Sequence, residues 1–150
     1  MTWTPHVTVA TVIEREGNYL VVKEIDQGIA VFNQPAGHLE ANETLIDAAI
    51  RETLEETGWA VEIDYLIGIS RYIAPANQAT YIRFTFAATA IELTVNAVLD
   101  EGIIEAVWLT KDQLAANQAL LRSPLVLNDI ERFERGEKLP ISCLFDHPTQ

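Results

Sequence analysis

Residues 37 to 59 read GHLEANETLIDAAIRETLEETGW, and the spacing within that stretch is the most informative feature of the chain. From Glu43 to Thr57 there is neither Gly nor Pro, and good helix formers dominate. Asn42 is a candidate N-cap, and Gly58 stands where a helix stops in a left-handed turn. The stretch is therefore expected to be a loop, a helix of about four turns and a glycine stop. On such a helix Glu52, Glu55 and Glu56 fall at i, i+3 and i+4 and share one face. Two readings are open. A run of carboxylates is commonly a solvated acidic face. Like charges crowded at the C-terminal end of a helix, where the dipole favours cations, also suit a hard divalent cation such as Mg²⁺, which joins carboxylates to phosphates.

The surroundings narrow the choice of chemistry. The chain has 150 residues, 49% apolar and 21% charged, so one domain spanning residues 1–150 with a substantial core is expected. A net charge of −12 argues against a nucleic-acid groove, which needs a basic patch. An anionic phosphate compound would then be received best as a metal complex. Met1 is followed by no signal-peptide pattern, and no apolar run approaches the roughly 18 residues of a membrane span. The single Cys143 excludes an intrachain disulfide and a cysteine-cluster metal site. A cytoplasmic protein is expected. The sequence carries no signature of oligomeric state.

Taken in order, His6 to Ile13 is β-branched and nearly continuous, which predicts a buried strand. Glu16-Gly17-Asn18 turns it into a second strand, Tyr19 to Ile25, and Ala30 to Asn33 predicts a third, short one. Gln34 to Leu39 is expected to be a loop in which His38 serves as a hydrogen-bonding residue. Trp59 to Ile69, Tyr81 to Ile91 and Ile103 to Leu109 predict further strands. Thr110 opens a second helix with a capping signature, and Pro124 begins a third, reaching about Glu134. Cys143 is read as a small apolar residue near the core. Strands before and after a central helix, with further helices late in the chain, indicate an α/β fold.

Seven residues of the opening stretch, Gly37, Glu43, Arg51, Glu52, Glu55, Glu56 and Gly58, match the Nudix box at its fixed spacing. By composition alone such a match occurs on the order of once in 10⁹ starts. Thr53, where an aliphatic residue is usual, and Trp59, where Ile or Val is usual, depart from the pattern only at packing positions. The chain thus resembles the Nudix hydrolases over nearly its whole length. The resemblance implies a mixed sheet sandwiched between helices and Mg²⁺- or Mn²⁺-dependent cleavage of phosphoanhydrides in small molecules. It implies Glu52, Glu55 and Glu56 as metal-binding carboxylates, a backbone carbonyl from Gly37, and a structural pair between Glu43 and Arg51. For the general base it offers Glu52 or a later acid, among which Glu101 is placed ahead of Asp100 and Glu105.

Segments outside the box, PHVTVATV (5 to 12), FNQPAGHLEANETL (32 to 45), YIAP (72 to 75), DEGIIEAVWL (100 to 109) and LRSPLV (121 to 126), are similar to the NudJ subgroup of bacterial phosphatases. That likeness implies release of phosphate from nucleoside tri- and diphosphates, thiamine pyrophosphate and hydroxymethylpyrimidine pyrophosphate. Alternatives within the fold are cleavage of nucleoside triphosphates to pyrophosphate and cleavage of ADP-ribose. A non-catalytic binding or regulatory domain is a further alternative, opposed by the retention of all four box glutamates. Arg71, Arg83 and Arg122 are candidate phosphate contacts, and Phe32 and Tyr72 are candidates for stacking on a ring. For Arg83, the one charge inside its strand, an outward-facing position is the other reading.

Overall fold

The computed structural model describes residues 2–147. Among these, seven strands and three α-helices follow one another as β1 (His6–Arg15), β2 (Asn18–Asp26), β3 (Ile29–Asn33), β4 (Ala36–His38), α1 (Leu45–Thr57), β5 (Trp59–Ile73), β6 (Thr80–Leu93), β7 (Ile103–Thr110), α2 (Lys111–Ala116) and α3 (Leu125–Glu134). This is the expected mixed α/β architecture. β1 runs parallel to β6, and the other pairings are antiparallel. β1 and β2 pair with each other only at the base of their hairpin, through Glu14↔Tyr19 and Arg15↔Asn18. Beyond that point they diverge. β1 holds β4 and β6 on its two edges, while β2 holds β3 and β7.

Both faces of the central strands are covered, which is why His6 to Ile13 reads as an almost unbroken apolar run. Val9 and Ile13 pack with Leu20, Phe86, Ala88 and the α1 alanines Ala48 and Ala49. Val12, facing the other way, packs with Tyr19, Val21 and Ala87 against Leu114 of α2 and Ile130 of α3. The period-2 alternation of the strands thus feeds two apolar layers, one under each set of helices.

Several local expectations need correction. Thr44, not Asn42, caps α1: its Oγ1 accepts from the Asp47 amide at 3.0 Å, and Asn42 occupies a left-handed turn at φ 67°. Gly58 stops the helix in the left-handed region (φ 78°), as its position suggested. Part of the expected loop at residues 34 to 39 is β4, because the edge of β1 is free to take it. Cys143 is exposed on a short 3₁₀ turn (Ile141–Cys143) and not near the core. The two departures from the box motif have packing explanations. Thr53 is fully buried, and its Oγ1 bonds Thr11 Oγ1 (2.9 Å) and the Ala49 carbonyl (2.8 Å), so its polarity is satisfied inside. Trp59 meets Trp108 edge-on at 5.9 Å, with the Arg15 guanidinium 4.9 Å from the Trp59 ring centre.

Candidate active site

The acidic face of α1 is organised by one cation. Arg51 Nη2 donates to Glu43 at 2.7 Å and its Nε to the second Glu43 oxygen at 3.0 Å, a bidentate pair. Its Nη1 reaches Glu52 at 2.8 Å and Glu55 at 3.1 Å, and Nη2 also donates to the His38 carbonyl at 3.1 Å. The expected Glu43–Arg51 pair is present, and the same guanidinium holds two more carboxylates of the motif in place. His38 is the last residue of β4 and not part of a loop, and it accepts from Arg51 through its backbone carbonyl.

Among the described residues, Glu52, Glu55 and Asp100 bring carboxylate oxygens within 4.8 Å of one another. Asp100 arrives from far along the chain because its amide donates to the Glu55 carbonyl at 3.0 Å, while the Thr94 amide donates to Gly58. Both carbonyls are among those left without partners at the end of a helix. The loop after β6 therefore docks on the end of α1 and delivers Asp100. Glu101, placed first from sequence, follows it in an exposed turn and lies outside the cluster. Gly37 packs so closely on the Glu52 carboxylate that a Cβ there would push that carboxylate out of its position. Burial pushes the Glu52 carboxyl above its ordinary range, with Arg51 opposing. Three carboxylates, partly accessible and close together, are the donor set a hard divalent cation takes, so the residues fit Mg²⁺ or Mn²⁺.

Glu56 is turned inward. It is buried, its Oε1 accepts from the Ala36 amide at 2.8 Å, and desolvation pushes its carboxyl up to about 8. It forms part of the wall of a cavity of about 450 Å³. That cavity runs from Glu56, Gly37 and His38 past Tyr81 and Arg83 to Tyr72, the 74–77 loop and Arg122. The acidic cluster and the cavity thus share one strip of α1 and β4.

The remaining candidates divide. Tyr72 and Arg122 line the cavity, Arg122 being held by Glu24 (2.7 Å) and Asp26 (3.4 Å). Phe32 lies outside the lining, with its side chain in the apolar layer under α2 and α3, although its carbonyl accepts from the Arg122 amide at 2.8 Å. Arg71 is exposed on β5 and is not in the lining either. Arg83 does line the cavity but is not outward-facing. It is 7% exposed and pairs through Nε with Asp129 of α3 at 3.3 Å. The alternation of β6 explains this: Arg83 shares the face of Thr85 and Ala87, which is covered by α3. Sequence reasoning did not single out Asp129, Gln34, Glu24 or Asp26. A lone Asp inside the amphipathic segment LVLNDIERF was the available signal for the first.

The family model for the Nudix domain matches residues 4–128. The chain belongs to the Nudix family. It is a hydrolase acting on phosphoanhydride bonds of small-molecule substrates. It is 40% identical to phosphatase NudJ of Escherichia coli (strain K12) over 144 residues, covering 95% of this chain and 92% of that protein. The NudJ of Shigella flexneri matches equally. A solved Nudix hydrolase from Nitrosomonas europaea superimposes with a TM-score of 0.94 at 42% identity, covering 96% of this chain and 98% of that one. No helix among the described residues is long and apolar enough to cross a membrane.

Proposed function

We propose that this Nudix hydrolase releases phosphate from nucleoside tri- and diphosphates and from thiamine-type pyrophosphates, including hydroxymethylpyrimidine pyrophosphate. The observation that carries the reading is the junction of the Glu52–Glu55–Asp100 cluster with a cavity that holds both arginine and aromatic side chains. Its likeness to NudJ phosphatases over almost the whole chain supports phosphate as the product.

Glu52, Glu55 and Asp100 would hold Mg²⁺ or Mn²⁺, with Glu56 as a further oxygen donor on the cavity side and Gly37 contributing backbone. When bound, the cation neutralises phosphate oxygens and makes hydroxide available from water at neutral pH. The chain's own part is positioning and charge balance, which phosphoryl transfer needs more than covalent help. Arg51 Nη1 bonds both Glu52 and Glu55 and holds them in line. Glu52, which Arg51 Nη1 restrains, and Asp100, on the docked loop, are the acids we assign to take a proton from attacking water, ahead of Glu101, which lies outside their cluster. Arg122 and Tyr72 face the substrate at the other end of the cavity, where a ring could lie along Tyr72.

The test is product analysis with Mg²⁺, offering ATP, ADP, thiamine pyrophosphate and ADP-ribose in parallel. Orthophosphate from the first three is expected. Pyrophosphate from ATP, or cleavage of ADP-ribose alone, would keep the family chemistry and overturn the substrate assignment.

A further inference from the structure

Beneath the cavity lies a polar network that the metal cluster does not use. Asp129, 1% exposed in the middle of α3, gathers three donors on Oδ2: Gln34 Nε2 at 2.9 Å, Thr85 Oγ1 at 3.1 Å and Arg83 Nε at 3.3 Å. Two atoms of this network are buried without partners, Arg83 Nη2 and Gln34 Oε1. Arg83 is also part of the cavity lining, and Glu56 is close enough to contribute to its electrostatics.

An ion pair that merely fastened α3 to the sheet would not be arranged like this. Burying a guanidinium with a donor unspent costs stability, and an apolar pair of similar volume usually holds two elements together as well or better. Asp129 engages the guanidinium through Nε and so fixes its plane while leaving terminal N–H groups uncommitted. A fixed fork with free N–H groups in a water-poor wall is the geometry that receives phosphate oxygens.

Resting on the reading that the cavity takes a phosphoanhydride, we propose that Arg83 binds a phosphate group of the substrate and that Asp129 is the positioning residue that aims it. Gln34, on the same carboxylate oxygen, keeps Asp129 from turning away. Charge balance supports the arrangement. An anionic substrate entering beside Glu56 meets in Arg83 a cation whose own partner uses one nitrogen, whereas Arg122 is already shared between Glu24 and Asp26.

The experiment compares wild type, Arg83→Met, Asp129→Asn and the double variant, reading kcat and KM for ADP with Mg²⁺. Equilibrium binding of a methylene-bridged ADP analogue and thermal melts accompany the kinetics. Asn preserves the shape at 129 and removes the charge. Each single variant should lose tenfold or more in kcat/KM and in analogue affinity, and the double variant should be no worse than Arg83→Met alone, because one residue acts through the other. Folded Asp129→Asn with kcat/KM within twofold of wild type, or losses that multiply in the double variant, would overturn the proposal. If Asp129→Asn does not fold, Arg83→Lys decides: it keeps the charge without the fork, and unchanged analogue affinity would overturn the assignment. A wild type that neither binds the analogue nor turns over ADP would overturn the proposed function itself, and this proposal with it.

Discussion

Two arginines of this protein meet carboxylates in opposite ways. Arg51, on the surface of α1, is surrounded by Glu40, Glu43, Glu52 and Glu55, all within 3.6 Å. Arg83, inside, has one carboxylate, Asp129, and a buried N–H without a partner. At Arg51 negative charge is in excess, and a cation is what the site lacks. At Arg83 a donor is in excess, and an anion is what the site lacks. On the function proposed above, the first arrangement would take a metal and the second a phosphate, and the cavity wall formed by Glu56 and Gly37 lies between them.

The comparison is broken most severely at the acidic cluster. Glu55→Gln should cost about 10³-fold in turnover, since a ligand lost from the metal site removes the charge stabilisation on which phosphoryl transfer depends. Circular dichroism should show an unchanged fold, and retention of more than a tenth of the wild-type kcat would sink the role given to this face.

A smaller effect comes from Glu56, the acid between the two arginines. Its folded-state carboxyl titrates near 8, above the ordinary 4.5. As pH rises from 4.5 towards 8 the unfolded chain gives up this proton while the folded chain retains it, so stability is lost across that window and stays lost above it. With a chelator present, Glu56→Gln should therefore match wild type at pH 4 and be more stable at pH 9, on the order of a few kcal/mol. Equal melting temperatures at both pH values would show that Glu56 is not held as an uncompensated buried acid.

Arg51→Met should destabilise the metal-free protein by about 1–3 kcal/mol, because the carboxylates around it are left to repel one another. Added Mg²⁺ should recover part of that loss, a recovery that chemical denaturation with and without the ion would measure. The smallest effect belongs to the packing beneath α1. Thr53→Val alone leaves Thr11 Oγ1 buried without its partner and should cost about 1–2 kcal/mol, whereas Thr11→Val with Thr53→Val together should be nearly neutral. A double variant as unstable as the single one would show that the hydroxyl pair is more than a local exchange.

These regions also differ in how far the sequence reveals them. The α1 face is set by spacing within one helix, so Glu52, Glu55, the Arg51–Glu43 pair and the Gly58 stop are legible from residues 37 to 59. Asp100 against Glu101 is not, because the choice depends on which residue's amide meets the Glu55 carbonyl, a contact across 45 residues. In the sequence Arg83 looks like an ordinary strand charge, because a single strand does not tell which of its faces a later helix will cover. Its partner lies 46 residues away. The strand order, and the divergence of β1 and β2 that opens the cavity, rest on the same kind of distant pairing. Local periodicity gives the elements; only tertiary contacts place the phosphate side of the site.

The most direct test of the acidic cluster is Mn²⁺ binding followed by electron paramagnetic resonance in wild type, Glu55→Gln, Asp100→Asn and Glu101→Gln. Weakened binding in the first two variants, with wild-type affinity in Glu101→Gln, is the predicted result. Undiminished binding in Asp100→Asn together with loss in Glu101→Gln would contradict the account and return the later acid to the exposed turn.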